Sequence, residues 1–441
     1  MDEILYQLKK IIPRWIFRLF QPAYHWLLAL LSALLYKFPS KKLIVIGITG
    51  TNGKSTSVAL LHEVLSRAGY KTGSLSSIRF KIRNKEVKNE LKMTIPGRGR
   101  VQKFLADCIK EGCQFAVLEV TSEGIRQFRH MFVNFDLALI TNVTPEHIES
   151  HGGFEAYRNA KAGFFRYVAE SRRKVIGGRV IPKTLVVNLD DKEYAYFLPP
   201  AGDRFIGYTL QGKSDPAVNS SVQAEHPEVH EDGVSFLYKG KEFKSPLRGR
   251  FNLENLAGVL AVAENFSIPL AAIQEAFLET ANVPGRFEYI EEGQVFRVIV
   301  DYAHTPDALE KVYQATKSTK TGGQIICVLG AAGGGRDVWK RPEMGTLAEQ
   351  FCDQIILTNE DPYDEDPEAI LHDVAKGFSS AVSPELIIDR RAAINRALQS
   401  AKPGDTVIIT GKGAEPWLMG PKNSKIPWDD RAVVREELKK I

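Results

Sequence analysis

The sequence predicts an α/β protein in two successive parts with a short helical apolar segment in front, and three observations carry that expectation. From Leu43 onward, apolar runs of strand length alternate with stretches whose apolar residues recur at helical spacing, the pattern of a mainly parallel sheet covered by helices. The run Leu43-Ile44-Val45-Ile46 feeds directly into Thr49-Gly50-Thr51-Asn52-Gly53-Lys54-Ser55-Thr56, a strand, glycine loop and helix in immediate succession. After Val283-Pro284-Gly285-Arg286, which has the composition of a linker, the alternation begins again.

The composition bounds the function classes. With 441 residues, 44% hydrophobic and 25% charged, the chain is long enough for two or three domains with substantial cores. A net charge of +5 is small for this length and gives no argument for nucleic acid. Cys108, Cys113, Cys327 and Cys352 form no C-x-x-C pair and no dense cluster, which suits a reducing compartment, argues against structural zinc, and predicts buried free thiols.

Residues 1–40 form the leading segment. Between 13 and 38 (PRWIFRLFQPAYHWLLALLSALLYKF) Trp, Phe and Leu dominate, with Lys9, Lys10, Arg14 and Arg18 at one end and Lys37, Lys41 and Lys42 at the other. The uninterrupted apolar stretch, 26 to 36, falls well short of the ~20 residues that span a bilayer. No small-residue cleavage site follows it, so a secretory signal does not fit either. Two readings stay open. One is a basic amphipathic segment in the membrane interface, giving a cytoplasmic protein peripheral contact with the inner membrane face through residues 10–38. The other is a helical hairpin, broken at Pro22, whose apolar face packs on the next domain.

The first α/β part runs from 41 to 286. Strands are expected at 43–46, 115–120, 137–140 and 184–187, and helices at 57–68, 101–110 and 154–169, the first with Leu60, Leu61, Val64 and Leu65 on one face. From 203 to 248 short polar–apolar alternation with Gly and Pro predicts a β-rich insertion or edge sheet, followed by a helix at 255–265. The second part, 287–441, repeats the alternation with strands at 295–300, 324–329, 354–358 and 406–410.

The glycine loop is the first chemical signal. Glycines let the backbone turn tightly and aim N–H groups at phosphate oxygens, while the following helix adds the positive end of its dipole. Lys54 would bridge terminal phosphates, and Ser55 or Thr56 would ligate Mg²⁺. The usual G-x-x-x-x-G-K-[ST] spacing would need glycine at 48, where this chain has Ile48. The strand before and helix after therefore carry the expectation of ATP chemistry over that of an ordinary glycine turn.

Further chemistry collects past other strands. Glu119 ends a strand, where ligands of open α/β sheets gather; it is a candidate Mg²⁺ ligand or a solvated carboxylate. In Thr141-Asn142-Val143-Thr144-Pro145-Glu146-His147-Ile148-Glu149-Ser150-His151, two histidines four apart amid carboxylates could ligate a metal, hold a substrate phosphate, or serve as hydrogen-bonded loop residues. Lys161 lies on the next predicted helix, and composition alone does not single it out.

Together, TGTNGKST, LEVTSEGIRQFR, TNVTPEHIESHGGFEAYRNAK, GRFNLENLAG, DYAHTPDAL, GGGRDVWKRP and GKGAEP resemble the Mur ligase family, most closely its MurE branch, over about residues 43 to 441 and in the family's order. The resemblance implies a P-loop central domain with a mainly parallel sheet and a carboxy-terminal Rossmann-like α/β domain, closing over ATP, Mg²⁺ and two small-molecule substrates. It implies ATP-dependent amide formation: an acceptor carboxylate attacks the γ-phosphate, and an amino acid's amine attacks the resulting acyl phosphate.

By matched position the resemblance assigns Gly50, Thr51, Asn52, Gly53, Lys54, Ser55 and Thr56 to the ATP phosphates. Ser55 and Glu119 would serve one Mg²⁺, and His147 with Lys161 a second, Lys161 as a carbamate because an ammonium cannot ligate a cation. Lys54, Glu119, His147 and Lys161 are thus the implied catalytic residues. Asn252, Asn255, Arg286, Asp301, His304 and Arg336, with Asp337 and Lys340, correspond to positions around the nucleotide and the domain junction. Thr94, Thr121, Gln127 and Arg129 match acceptor positions, and Asp361, Tyr363, Gly411 and Glu415 match positions for the incoming amino acid, whose ammonium Glu415 would attract.

Three departures from the family bear on the substrates. MurE-type members carry a whole amino-terminal domain for the uridine diphosphate end of the acceptor, whereas about 40 residues stand there here; a different acceptor, a different binding surface or a partner protein is then expected. Where diaminopimelate-adding members have Asn-Pro-Arg, this chain has Asn359-Glu360-Asp361-Pro362-Tyr363-Asp364-Glu365-Asp366, which favours a basic side chain such as lysine, unless the run is merely a solvated acidic loop. The paired acceptor threonines are Thr94-Ile95, and GKGHE is Gly411-Lys412-Gly413-Ala414-Glu415. A muramyl-peptide ligase of peptidoglycan precursor synthesis is the expected function. The alternatives are a related enzyme on a lipid-linked or non-wall acceptor, in the manner of MurT or a poly-amino-acid synthetase, and a non-catalytic nucleotide-binding subunit.

Overall fold

In the computed structural model the described residues are 14–441 less 92, 95, 147, 320 and 321, with the backbone alone for 14–20 and 98. His147, Ile95 and residues 1–13 therefore lie outside them. A nine-stranded sheet organises the first part, in the order Ser220–Gln223, Arg204–Thr209, Thr184–Asn188, Leu137–Ile140, Ile44–Thr49, Phe115–Glu119, Thr72–Leu75, Arg79–Ile82 and Lys85–Lys88. All neighbours run parallel except the last two strands, an antiparallel extension at one edge.

The central strand shows why the apolar run is continuous. Ile46 and Ile48 join one buried layer with helices Lys54–Arg67 and Phe251–Asn265, while Leu43 and Val45 join the opposite layer with helices Arg98–Lys110 and Phe154–Glu170. A strand covered on both faces has no polar side. Gly47 has no alternative, since a Cβ there would lie 2.4 Å from the Phe164 ring. At the strand's start, buried Asp136 accepts the Val45 N–H (2.9 Å) and pairs with buried Lys174 and Lys183 (2.5 and 3.1 Å). The region 203–248 divides between both expectations: two of its strands extend the main sheet, and Glu225–His230, Gly233–Tyr238 and Lys241–Ser245 form a separate antiparallel sheet.

A six-stranded sheet organises the second part, in the order Glu288–Tyr289, Arg297–Val300, Thr406–Ile409, Ile325–Leu329, Gln354–Thr358 and Glu385–Ile387, parallel except for its first strand. The carboxyl ends of Ile44–Thr49 and Arg297–Val300 lead into residues that wall one cavity, so both sheets present their ligand-binding edges to it.

Two expectations are corrected. The leading segment is no hairpin broken at Pro22: one helix, Arg14–Leu35, runs through it. Pro22 is exposed, so the hydrogen bond that proline cannot donate is lost on the solvent side of the helix and the packed face is undisturbed. Cys327 and Cys352 are disulfide-bonded and not free thiols, whereas Cys108 and Cys113 are free and buried as expected. Among the described residues no helix is long and apolar enough to cross a membrane.

Candidate active site between the two sheets

The loop at 50–56 takes its shape from two glycines with left-handed backbone. Gly50 (φ 149°) sits where a Cβ would strike Thr141 Oγ1, and Gly53 (φ 83°) where it would lie 2.2 Å from Asn255 Oδ1. Gly53 caps helix Lys54–Arg67, so the first free N–H groups of that helix open onto the cavity. Lys54 Nζ folds back and donates to Thr51 O (2.5 Å).

Ser55, in the first turn of helix Lys54–Arg67, meets Glu119 at the end of strand Phe115–Glu119. Ser55 Oγ donates to Glu119 Oε2 (2.9 Å), which also accepts the Ser77 N–H (2.8 Å). A hydroxyl and a carboxylate at this separation are hard oxygen donors of the kind Mg²⁺ takes. Among the described residues no trio of His, Cys, Asp or Glu side chains is placed to hold a metal by itself, so such an ion would complete its shell from substrate phosphates and water.

Lys161 is the most unusual group in the cavity wall. It is 1% exposed, and its Nζ donates to Gly50 O (2.7 Å), beneath the glycine loop. Burial, reinforced by the Lys54 charge, pushes its pKa well below the usual lysine range. Tyr157, one helical turn earlier, shares a hydrogen bond with Thr51 Oγ1 (3.0 Å), and its hydroxyl donates to Glu146 Oε2 (3.5 Å); burial raises its own pKa well above the ordinary value. Glu146 in turn faces His304 Nε2 across the domain junction (3.3 Å).

More contacts cross that junction. Asn52 Nδ2 donates to Asp307 (2.8 Å), and buried Asp337 accepts the N–H groups of Ile148 and Glu149 (3.2 and 2.9 Å). Glu149 returns the contact by accepting the Val338 N–H (3.0 Å). Within the second part, Lys340 Nζ donates to His304 O (2.8 Å), and burial lowers its pKa. Buried Asp301 accepts the N–H groups of Phe287 and Ala303 (both 2.6 Å); desolvation raises its pKa against the opposing pull of Arg286, whose guanidinium lies 4.2 Å from the Tyr302 ring.

The cavity, about 500 Å³, brings most sequence-predicted residues together: the whole loop 50–56, Glu119, Lys161, Asn255, Arg286, Asp301, His304 and Arg336, with Thr94, Thr121, Gln127 and Arg129 as another part of the wall. Thr121 Oγ1 accepts the Gly124 N–H (3.1 Å), and Arg129 donates to Gln127 Oε1 (2.6 Å). Asn252 stands one step back, donating to Arg248 O and accepting from Asn255.

Of the four residues expected at the amino-acid end, Glu415 lines the cavity, while Asp361, Tyr363 and Gly411 stand behind it. Asp361 and Glu415 both pair with buried Lys412, and Glu415 also accepts from the Tyr302 hydroxyl (3.1 Å). Tyr363 has left-handed backbone (φ 54°) and its hydroxyl accepts from Arg336 (3.3 Å). The sequence reading passed over Asn142, Glu146, Tyr157 and Tyr302. Asn142 holds the loop directly, accepting the Asn52 N–H (2.9 Å), and its position just past a strand was the available signal.

A family model for the Mur ligase middle domain matches residues 48–263, and one for the Mur ligase glutamate ligase domain matches residues 285–413. A UDP-N-acetylmuramyl-tripeptide synthetase of Roseiflexus sp. (strain RS-1) is 36% identical over 428 residues, covering 94% of this chain and 82% of the relative. A UDP-N-acetylmuramoyl-L-alanyl-D-glutamate–2,6-diaminopimelate ligase of Gloeobacter violaceus is 37% identical over 414 residues, covering 93% and 80%. A solved structure of a 2,6-diaminopimelate ligase of the same description superposes with a TM-score of 0.58 at 30% identity, over 90% of this chain and 79% of that one. The chain belongs to the Mur ligase family, a family of ATP-dependent acid–amino-acid ligases. Within it, the relatives just described are of the MurE type.

Proposed function

We propose that this ligase phosphorylates a carboxylate of a muramyl-peptide-type acceptor and transfers the acyl group to an amino acid. The observation that carries the reading is the convergence of Lys54, the Ser55–Glu119 pair and fully buried Lys161 around one glycine loop, in a cavity walled by both sheets. The acceptor carboxylate attacks the γ-phosphorus of ATP, and the bond to the bridging oxygen breaks, releasing ADP. The amine then attacks the acyl carbon, loses a proton, and phosphate departs.

The loop residues Gly50, Thr51, Asn52, Gly53 and Thr56 cradle the phosphates, and Lys54 swings from Thr51 O to the terminal ones. Asn252 and Asn255 shape the loop from behind, and Arg286, Asp301, His304 and Arg336 close the nucleotide from the second sheet. Ser55 and Glu119 fit one Mg²⁺; Lys161, as its carbamate, and His147 would hold a second. The ion supplies charge neutralisation for the meeting of two anions. The depressed pKa of Lys161 supports the carbamate: the neutral amine adds to CO₂, forming N–COO⁻ and releasing one proton. Thr94, Thr121, Gln127 and Arg129 receive the acceptor.

For the amino acid we favour a lysine-like side chain over diaminopimelate. Tyr363 occupies the place of the arginine that would grip a distal carboxylate, and it engages the nearby Arg336. Gly411 lets the Glu360 carboxylate approach its backbone closely, Asp361 fixes Lys412, and Lys412 fixes Glu415. A matrix of candidate acceptors and amino acids, read by ADP release and product mass, tests the assignment. Lysine product on a muramyl dipeptide acceptor is expected; faster turnover with diaminopimelate would overturn the side-chain preference, and no acceptor-dependent ADP release with any muramyl peptide would overturn the reading as a whole.

A further inference from the structure

Helix Arg14–Leu35 has two unlike faces. Ala29 and Ala33 are buried (1% and 0% exposed), and Trp26 meets Phe132 edge-on at 5.4 Å between ring centroids. Tyr24, Leu27, Leu31, Leu34 and Leu35 point the other way and are 53%, 49%, 52%, 53% and 74% exposed. At 100° per residue these five fall in one sector, so the exposed residues form a continuous stripe along the helix. Aromatic and aliphatic side chains this exposed, in register over three turns, mark a surface that something covers.

Charge selects the occupant. The sequence contains no Asp or Glu from Ile4 to His62, while Lys37, Lys41 and Lys42 are exposed just past the helix and Lys9, Lys10, Arg14 and Arg18 precede or open it. An apolar stripe bracketed by cations alone matches an anionic bilayer surface, where leucines enter the acyl boundary and lysines meet headgroup phosphates. A second copy of this helix would bring like charges together.

We infer that helix Arg14–Leu35 lies in the interface of an anionic membrane. The contacts it makes with the rest of the chain give the docking a direction. Helix Arg98–Lys110, on which it packs, follows shortly after Met93 and Thr94, and Phe132 follows Gln127 and Arg129; all four of those residues line the cavity. The face of the helix opposite the exposed stripe thus packs on elements that adjoin, in sequence, the part of the wall assigned to the acceptor. This inference stands on the helix itself and not on the proposed ligation.

Flotation of the full chain with vesicles of phosphatidylcholine, with and without phosphatidylglycerol, tests it. The chain is expected to float with the anionic vesicles only. The triple variant L27S/L31S/L34S alters exposed positions and should melt like the parent, yet lose at least about tenfold in vesicle partitioning. K37Q/K41Q/K42Q, or high salt with the parent, should lose about tenfold or more. The inference is overturned if the parent stays with the soluble fraction at low salt, or if the leucine variant floats as well as the parent. It is also overturned if light scattering shows a parent dimer that the leucine variant dissolves while neither floats, which would assign the stripe to a second copy.

Discussion

Replacing Lys161 by Met separates a catalytic role from a structural one, because the two roles predict opposite balances of stability and activity. Met has nearly the same length and no charge. The substitution removes one buried hydrogen bond, to Gly50 O, which contributes about 1–2 kcal/mol. It also removes the cost of holding an ammonium in a site that lowers its pKa strongly. These terms oppose each other, so the urea midpoint should move little and in either direction by no more than about 1–2 kcal/mol. Activity should behave differently. Losing the proposed metal-holding carbamate beside the transferring phosphoryl group should cost about 3–4 kcal/mol of transition-state stabilisation, a fall of about 10²–10³ in acceptor-dependent phosphate release. Stripping CO₂ and bicarbonate from the assay should slow the parent reversibly and leave the Met variant unchanged. A variant that turns over within about fivefold of the parent, or a parent indifferent to bicarbonate, would refute the carbamate.

Other perturbations probe the loop, the junction and the core. Gly53→Ala forces a left-handed residue against Asn255; the strain, about 1–2 kcal/mol, should weaken nucleotide binding by about tenfold or more in calorimetry, and unchanged affinity would mean the loop is not the nucleotide site. Asp337→Ala removes both bonds to Ile148 and Glu149 across the junction, worth about 2–4 kcal/mol, and should enlarge the particle in small-angle scattering while raising KM more than it lowers kcat. Burial holds the pKa of His130 down at about 4, so it is neutral in the fold while the unfolded chain protonates near 6.5. Its contribution is therefore intact above about pH 6.5 and lost as pH falls toward about 4, a decline of about 3 kcal/mol that His130→Phe should flatten in urea titrations, with His62 leaving a remainder in the same window.

What could be read in advance was local. The strand at 44–49, the loop and the helix after it declare themselves because buried parallel strands are apolar on both faces and phosphate loops need glycine at fixed places. Glu119 was accessible for the same reason, being the last residue of a strand beside the loop strand, with Ile48 opposite it. The disulfide was not accessible. Cys327 lies mid-strand and Cys352 two residues before the neighbouring strand Gln354–Thr358; only the parallel register, which sets Cys327 opposite Ile355, brings them close. Pro22 misled because a local rule, that proline ends helices, was applied where the neighbouring helix Arg98–Lys110 supplies packing that outweighs one missing hydrogen bond.

The acidic stretch after Asn359 shows how far charge pattern can and cannot carry a specificity argument. Read as a string, five carboxylates in seven residues invite a basic ligand. In the fold most are already engaged: Asp361 with Lys412, Glu365 with Arg341, Asp366 as a helix cap for Glu368 N, and Asp364 as acceptor of the Lys422 N–H. A carboxylate that already compensates a buried cation has little charge left to attract a substrate. The proposed preference for a lysine-like amino acid therefore rests on Tyr363, whose hydroxyl accepts from Arg336, and not on the acidity of its neighbours. Tyr363→Phe frees Arg336 without adding charge, and Tyr363→Arg adds the missing grip. If the argument holds, Tyr363→Arg should raise turnover of diaminopimelate relative to lysine by about tenfold, and Tyr363→Phe should shift the ratio in the same direction by less. A ratio that stays fixed in both variants would move the specificity away from this tyrosine altogether.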